Sequence, residues 1–313
     1  MGAASGDGAR TVRLLAVGVG ALWILDGLLQ FLPNMGINSM AMVEMTGWGQ
    51  PMWLVNVVDG VLNFLYFHHL TEAFDLTLAF GQLGVGLLIV LGGDTAWRRA
   101  GLWLSIPAAL TVWFLGEWLG GLVTFWSGGL TYLDGGPGAV TLYALVAVLL
   151  LTSGRGAARR LTDRLRTAVG AVWLVGAIAQ AVPANWAPGA VTGVFADNEV
   201  TMRLGWWDWP IRVAMHLTRV HPVFWNGIFT LVMAGLAAAI WLRRDPPWLY
   251  ALAGVWTLFL WWVGENFGAV FGGASTDPNT GPPLALLLLP LFLVAMDRRR
   301  TVPLAAPFGR YPG

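Results

Sequence analysis

Three carboxylates stand inside or at the ends of long apolar runs: Asp26, Glu117 and Glu265. An ionisable side chain at the centre of a membrane-spanning helix costs about 2.5–3.5 kcal/mol on insertion scales, so each needs a partner or a function. Trp23, Asp26 and Gln30 are spaced by three and four and share one helical face. Glu117 and Glu265 each follow a tryptophan by four residues, Trp113 and Trp261. These seven residues are the candidate lining of a cavity for a proton, an ion or a small ligand. The competing reading is structural: each Glu bonds an indole N–H, an Arg or the backbone of the next loop, and so locks that loop.

A second set could hold a metal. Met35, Met40, Met42 and Met45 crowd together just before Met52, with His68 and His69 downstream. Thioethers suit Cu(I); the alternative is a membrane-lying stretch in which Met is a flexible apolar filler. His216 and His221 have Arg212 and Arg219 beside them. Those cations disfavour a bound metal and suit an anion or a lipid headgroup. The chain has no Cys, so thiolate metal sites, Cys-held iron–sulfur clusters and disulfides are excluded. No nucleophile elbow, P-loop, dinucleotide fingerprint or zinc-protease motif occurs, and a stand-alone enzyme is not expected.

The elements that must position these residues are membrane helices. The chain of 313 residues is 57% hydrophobic and 11% charged, where a soluble domain is about half apolar and a quarter charged. A bilayer core takes roughly 20 apolar residues per helix. Eight stretches qualify, near 11–33, 72–93, 98–121, 138–153, 165–184, 222–242, 248–270 and 283–296. The apolar run of the first is too long for a signal peptide, and it reads as a retained anchor. All 18 basic residues are Arg, and eight spans place 15 of them on one face, leaving only Arg203, Arg212 and Arg219 on the other. The positive-inside rule then puts both termini in the cytoplasm. A net charge of +1 excludes a nucleic-acid binder of the basic-patch kind; the expected surroundings are the lipid bilayer.

The two halves resemble each other. Trp23 and Gln30 align with Trp173 and Gln180, Trp113–Glu117 with Trp261–Glu265, and Gly136-Pro137 with Gly281-Pro282. Asp26 aligns with Gly176, so one half lacks that acid. Four spans per copy make this a parallel repeat about an axis along the membrane normal. Each copy carries a long outer segment, 34–71 and 184–221. In the second, Arg212, His216 and Arg219 share a face of an amphipathic helix lying on the membrane. Residues 51–68 are assigned the same role or a re-entrant one. The expected fold is therefore all-α and polytopic, with eight transmembrane helices in two parallel four-helix repeats, each with an outer amphipathic helix. The expected organisation is a tail at 1–9, repeats at 10–154 and 164–300, an Arg-rich linker at 155–163 and a tail at 301–313. No Pro or Gly break is expected within spans at matching positions of both copies. The glycines Gly116, Gly120 and Gly121 are expected to let helices approach closely.

Gly18 to Gly27 followed by Phe31-Leu32-Pro33, the run Phe80-Gly81-Gln82-Leu83-Gly84-Val85-Gly86, and Arg98-Arg99-Ala100-Gly101-Leu102 resemble the DoxX-type family of four-helix bacterial membrane proteins. In that family an acidic residue usually stands where this chain has Gln82. The motif Trp-x-x-Gly-Glu-x-(Leu/Phe)-Gly with the loop Thr276–Pro282 resembles a further set of bacterial integral membrane proteins. The DoxX resemblance implies the bacterial cytoplasmic membrane and an association with membrane redox systems, including a thiosulfate:quinone oxidoreductase subunit. Three functional expectations follow. The first is an accessory or small-molecule-binding subunit of a redox system, with quinone as ligand and a redox subunit as partner. The second is a proton- or ion-coupled transporter. The third is a structural or assembly protein, with copper handling as a variant.

Overall fold

The structure is a computed structural model that describes residues 3–32, 43, 47, 49–153, 158–199, 206–242, 246–272 and 275–301. Among these the regular elements are all helical. They are α1 (Ala3–Leu29), α2 (Met52–Phe67), α3 (Thr71–Leu91), α4 (Ala96–Leu115), α5 (Ala139–Thr152) and α6 (Ala158–Gln180). There follow α7 (Ala190–Glu199), α8 (Trp209–Val220), α9 (Pro222–Trp241), α10 (Pro247–Phe259) and α11 (Gly281–Thr301). Short 3-10 segments fill the outer connections. Helix α1 starts inside the stretch expected as a tail, and α6 inside the expected linker.

Among the described residues five helices are long and apolar enough to cross a membrane, and a sixth span results if α4 and the bent segment after it are counted together. Helices α2 and α5 are shorter apolar helices. The chain is thus an all-helical protein of membrane-embedded type. In an apolar solvent every backbone N–H and C=O must be satisfied within the segment, which is why such sequence runs become helices.

Helices α1 and α6 lie at the centre. Helix α1 packs on α3, α5, α6 and α11, and α6 packs on α9 and α11. Small residues permit the tightest crossing: a Cβ on Gly20 would meet the Gly86 carbonyl, one on Gly86 would meet Gly20, and one on Gly27 would meet the Ala79 carbonyl and Leu83. Such backbone approach is the usual basis of helix association in lipid.

The stretches 51–68 and 209–220 form helices as expected. On α8, Ile211, Ala214 and Thr218 are buried, Arg212, His216 and Arg219 form one exposed stripe, and Val213, Leu217 and Val220 form another. A helix with a protein side, a polar side and an apolar exposed side suits the membrane–water boundary. On α2, Leu54, Val58 and Leu62 are buried with Trp118, while Trp53, Val57, Phe64 and Phe67 are exposed.

Two spans end earlier than the apolar runs do. Helix α4 stops at Leu115, and the segment Trp118–Ser127 leaves it at 54°. Helix α10 stops at Phe259, and Leu260–Gly264 continue as a wider π turn. The expectation of unbroken helices to residues 121 and 270 is corrected accordingly. The physical cause is a left-handed turn of four residues after each Glu. Its φ values are 49, 59, 55 and 77° at Trp118, Leu119, Gly120 and Gly121, and 47, 56, 65 and 54° at Asn266, Phe267, Gly268 and Ala269. A left-handed residue with a side chain costs roughly 1–2 kcal/mol, so packing must hold these. Trp118 is buried and donates from Nε1 to the Val43 carbonyl at 2.8 Å. Phe267 sits among Trp207, Trp261, Trp262 and Phe271.

Candidate functional site

The two Trp–Glu motifs build the same junction twice. Trp113 Nε1 donates to the Pro137 carbonyl and Trp261 Nε1 to the Pro278 carbonyl, each at 2.7 Å. The Glu117 N–H bonds the Val112 carbonyl at 3.1 Å and the Glu265 N–H the Leu260 carbonyl at 2.9 Å, both five residues back. The Gly120 N–H returns to the Glu117 carbonyl at 2.7 Å and the Gly268 N–H to the Glu265 carbonyl at 2.8 Å. Each carboxylate then faces the N-terminus of the next helix, α5 or α11. Such an end presents unsatisfied N–H groups and a partial positive charge. Structurally, Pro137 matches Pro278; the alignment of Gly136-Pro137 with Gly281-Pro282 is displaced by a few residues. Gly120 and Gly121 let a loop approach rather than a helix: a Cβ there would strike the backbone of Pro137 and Gly129.

The junctions differ in how far each carboxylate is satisfied. Glu265 is 2% exposed. It accepts the Thr280 N–H at 3.0 Å on Oε2 and the Thr280 hydroxyl on Oε1. Glu117 faces the N–H groups of Ala139 and Val140. Its Oε2 is buried without a partner, and it presses on Gly138, where a Cβ would overlap it. Ala139 stands where the other junction has Thr280, so no hydroxyl completes the set.

The unsatisfied oxygen borders a half-open cavity of about 160 Å³ between α1, α2, α3 and α4. Its apolar wall includes Leu62, Leu65, Phe74, Leu78 and Leu115. Its polar groups include Gln30, Asp75, Gln82, Glu117 and Asp277. Gln82 is 6% exposed, and its Oε1 also lacks a hydrogen-bond partner. Gln30 donates from Nε2 to the Thr276 carbonyl at 3.3 Å. Asp277 is half-buried in the outer loop. It accepts the Asn279 N–H at 2.6 Å and the Thr276 hydroxyl at 3.1 Å, while burial holds its carboxyl above the usual range.

Asp26 lies behind this cavity in a buried polar cluster with residues the sequence did not single out. It is 1% exposed, and the Tyr143 hydroxyl donates to its Oδ1 at 3.2 Å. The Tyr143 ring meets Trp23 edge-on at 5.2 Å, and Trp23 Nε1 donates to the Ser105 hydroxyl at 2.8 Å. Asp26 Oδ2 is left without a partner.

Of the seven cavity candidates, Gln30 and Glu117 line the cavity. Trp23, Asp26 and Trp113 brace the helices beside it, and Trp261 and Glu265 belong to the second junction. In the second half Gln180 is tied into a bonded set. Gln180 accepts the Thr131 hydroxyl at 2.8 Å and donates to Asn226 Oδ1 at 2.5 Å. Met233, fully buried, and the ring of Tyr132 pack against Gly176. Sequence reasoning missed Asp75 and Asp277 as wall residues, and Gln82 was noted only for its place in a family pattern. The signal was available for two of them, Asp75 and Gln82: each is a polar residue on an apolar helix.

Met35, Met40, Met42 and Met45 lie outside the described residues. His68 ends α2, with its ring 4.4 Å from Phe64. Among the described residues no group of three or more His, Asp or Glu is gathered to hold a metal ion. No family model, curated protein or solved structure matches the chain.

Proposed function

We propose that this chain is an integral membrane protein that binds a small, largely apolar molecule within its first half. The single observation that carries the proposal is the cavity whose buried acceptors, Gln82 Oε1 and Glu117 Oε2, have no partner. Leaving a buried polar group unpaired costs about 1–3 kcal/mol, and a ligand that supplies donors recovers that cost. Apolar walls with a few convergent polar groups are the general form of small-molecule sites.

The fuller reading has eight spans in two parallel DoxX-like repeats, with both termini on the cytoplasmic side of the bacterial inner membrane. The shared junction geometry and the Arg asymmetry support it. On this reading the first copy retains an open site and the second has been filled. A quinol, with two O–H donors on an apolar ring, fits the acceptor set, which supports an accessory role in a membrane redox system. A coupled carrier is the second reading, favoured by the helix breaks that follow Glu117 and Glu265 at matching positions.

The test is native mass spectrometry of the protein extracted gently from its own membrane, beside Gln82→Leu. A small molecule carried by the first and lost from the second is the expected result. The same lipid complement on both, with no further mass, would sink the proposal.

A further inference from the structure

The charge inventory of the cavity says more than its shape. Three carboxylates, Asp75, Glu117 and Asp277, contribute to the wall, and among the described residues no Arg or His lines it. Asp26 adds a fourth acid behind, with one carboxylate oxygen unpartnered. The amide Oε1 of Gln82, on a side chain more than nine-tenths buried, lines the same space with no donor to satisfy it. Carboxylates that share one space favour a cation there, since an opposite charge nearby stabilises their charged forms. The cavity is also half open and apolar on its α2 and α3 sides, where Leu62, Leu65, Phe74 and Leu78 stand. A bare metal ion does not suit such a wall, since hard cations need six or more oxygen ligands.

Resting on the cavity reading above, we propose that the site takes an amphipathic organic cation, an alkylammonium head on an apolar body. The N–H donors of the head satisfy Gln82 Oε1 and Glu117 Oε2, and its charge offsets the carboxylates. The apolar body lies along α2 and α3. The quinol reading shares the donors and differs in charge, so the two can be separated.

The full chain in lipid nanodiscs is titrated by calorimetry with octylammonium, octanol, octanoate and a short-chain quinol. The expected result is octylammonium bound about tenfold or more tightly than octanol, the preference one desolvated charge pair supplies, and octanoate excluded. Glu117→Gln should bring octylammonium down to the octanol level while octanol binding persists, which shows that the variant is folded. Asp75→Asn, with its side chain kept in size, should give a partial loss. Equal binding of octylammonium and octanol, or tight quinol with weak ammonium, overturns the cation proposal and leaves the cavity reading standing. No binding of any of the four overturns both.

Discussion

Gln30 and Gln180 are each held by a loop from the other half of the chain. Gln30 donates to the Thr276 carbonyl at 3.3 Å, and Gln180 accepts from the Thr131 hydroxyl at 2.8 Å. The loops are exchanged, yet the outcomes differ. Gln180 is 1% exposed and completes a bonded set with Asn226, whereas Gln30 borders a cavity. Gln180→Ala should therefore leave the Thr131 hydroxyl without its acceptor and Asn226 Oδ1 without its donor, and cost about 1–3 kcal/mol. Gln30→Ala should cost less than about 1 kcal/mol, the worth of one half-exposed neutral bond. Thermal unfolding of both variants in the same detergent checks the order.

The two glutamates should separate in the same way. Glu265 holds the N-terminus of α11 through two bonds to Thr280. Glu265→Ala should destabilise by roughly 2–4 kcal/mol, since it leaves a buried hydroxyl and N–H unpaired. Thr280→Ala should cost about half as much. Glu117→Gln keeps the shape of a carboxylate that is already partly unsatisfied, and its effect on melting should be under about 1 kcal/mol. A larger loss at Glu117 than at Glu265 would contradict this division.

Gln82→Leu is expected to raise the stability of the ligand-free protein. It removes a buried acceptor without a partner, worth about 1 kcal/mol or more, and adds apolar surface to a helix in an apolar wall. A rise in melting temperature together with loss of the bound molecule would mark a functional residue retained against stability.

Glycine substitutions divide by position. Gly120 has φ of 55°, and a Cβ there would strike the Pro137 carbonyl. Gly120→Ala should cost more than about 2 kcal/mol, strain and overlap together. Gly81 and Gly84 on α3 have open space at the Cβ. Alanine at either should be neutral or stabilising by up to about 1 kcal/mol. The three variants compared by chemical unfolding give the ranking.

Asp277 supplies a pH signature. Burial raises its carboxyl above the ordinary value, against the pull of the Asn279 N–H and the Thr276 hydroxyl. The folded state therefore holds this proton to a higher pH than the unfolded state does. Stability linked to Asp277 is present below the unfolded carboxyl range and falls as pH rises through its folded value. Asp277→Asn retains the oxygen that accepts from Asn279. Its stability should vary less across the acid range and exceed that of the wild type near neutral pH. An unchanged pH slope would show that the loop opens before the carboxyl titrates.

The helices were legible because hydrophobic length is a strong signal in a chain with so few charges. Each of the eight apolar runs contains a helix, and the stretches 51–68 and 209–220 form α2 and α8. The helix ends were not legible at residues 118 and 266. Nothing in Trp118, Leu119, Asn266 or Phe267 announces a positive φ, because the turn is held by distant partners: the Val43 carbonyl and a cluster of rings. The pairing of Trp113 with Glu117 was visible as spacing. The difference between Glu117 and Glu265 was hidden in the choice of Ala139 or Thr280, in loops where the alignment slips. Asp26 was visible as a buried acid, but its partner Tyr143 lies 117 residues away, beyond the reach of helical periodicity.

The exchanged loops set an order of events. Thr276 and Asp277, which close one side of the cavity, follow α10 in the chain, so every wall contributed by α1 to α4 is made before they exist. During synthesis the acidic pocket of the first half stays uncovered on that side until the loop after α10 has been delivered to the membrane. A ribosome arrested after α9 would leave an inserted protein with its site built but unsealed.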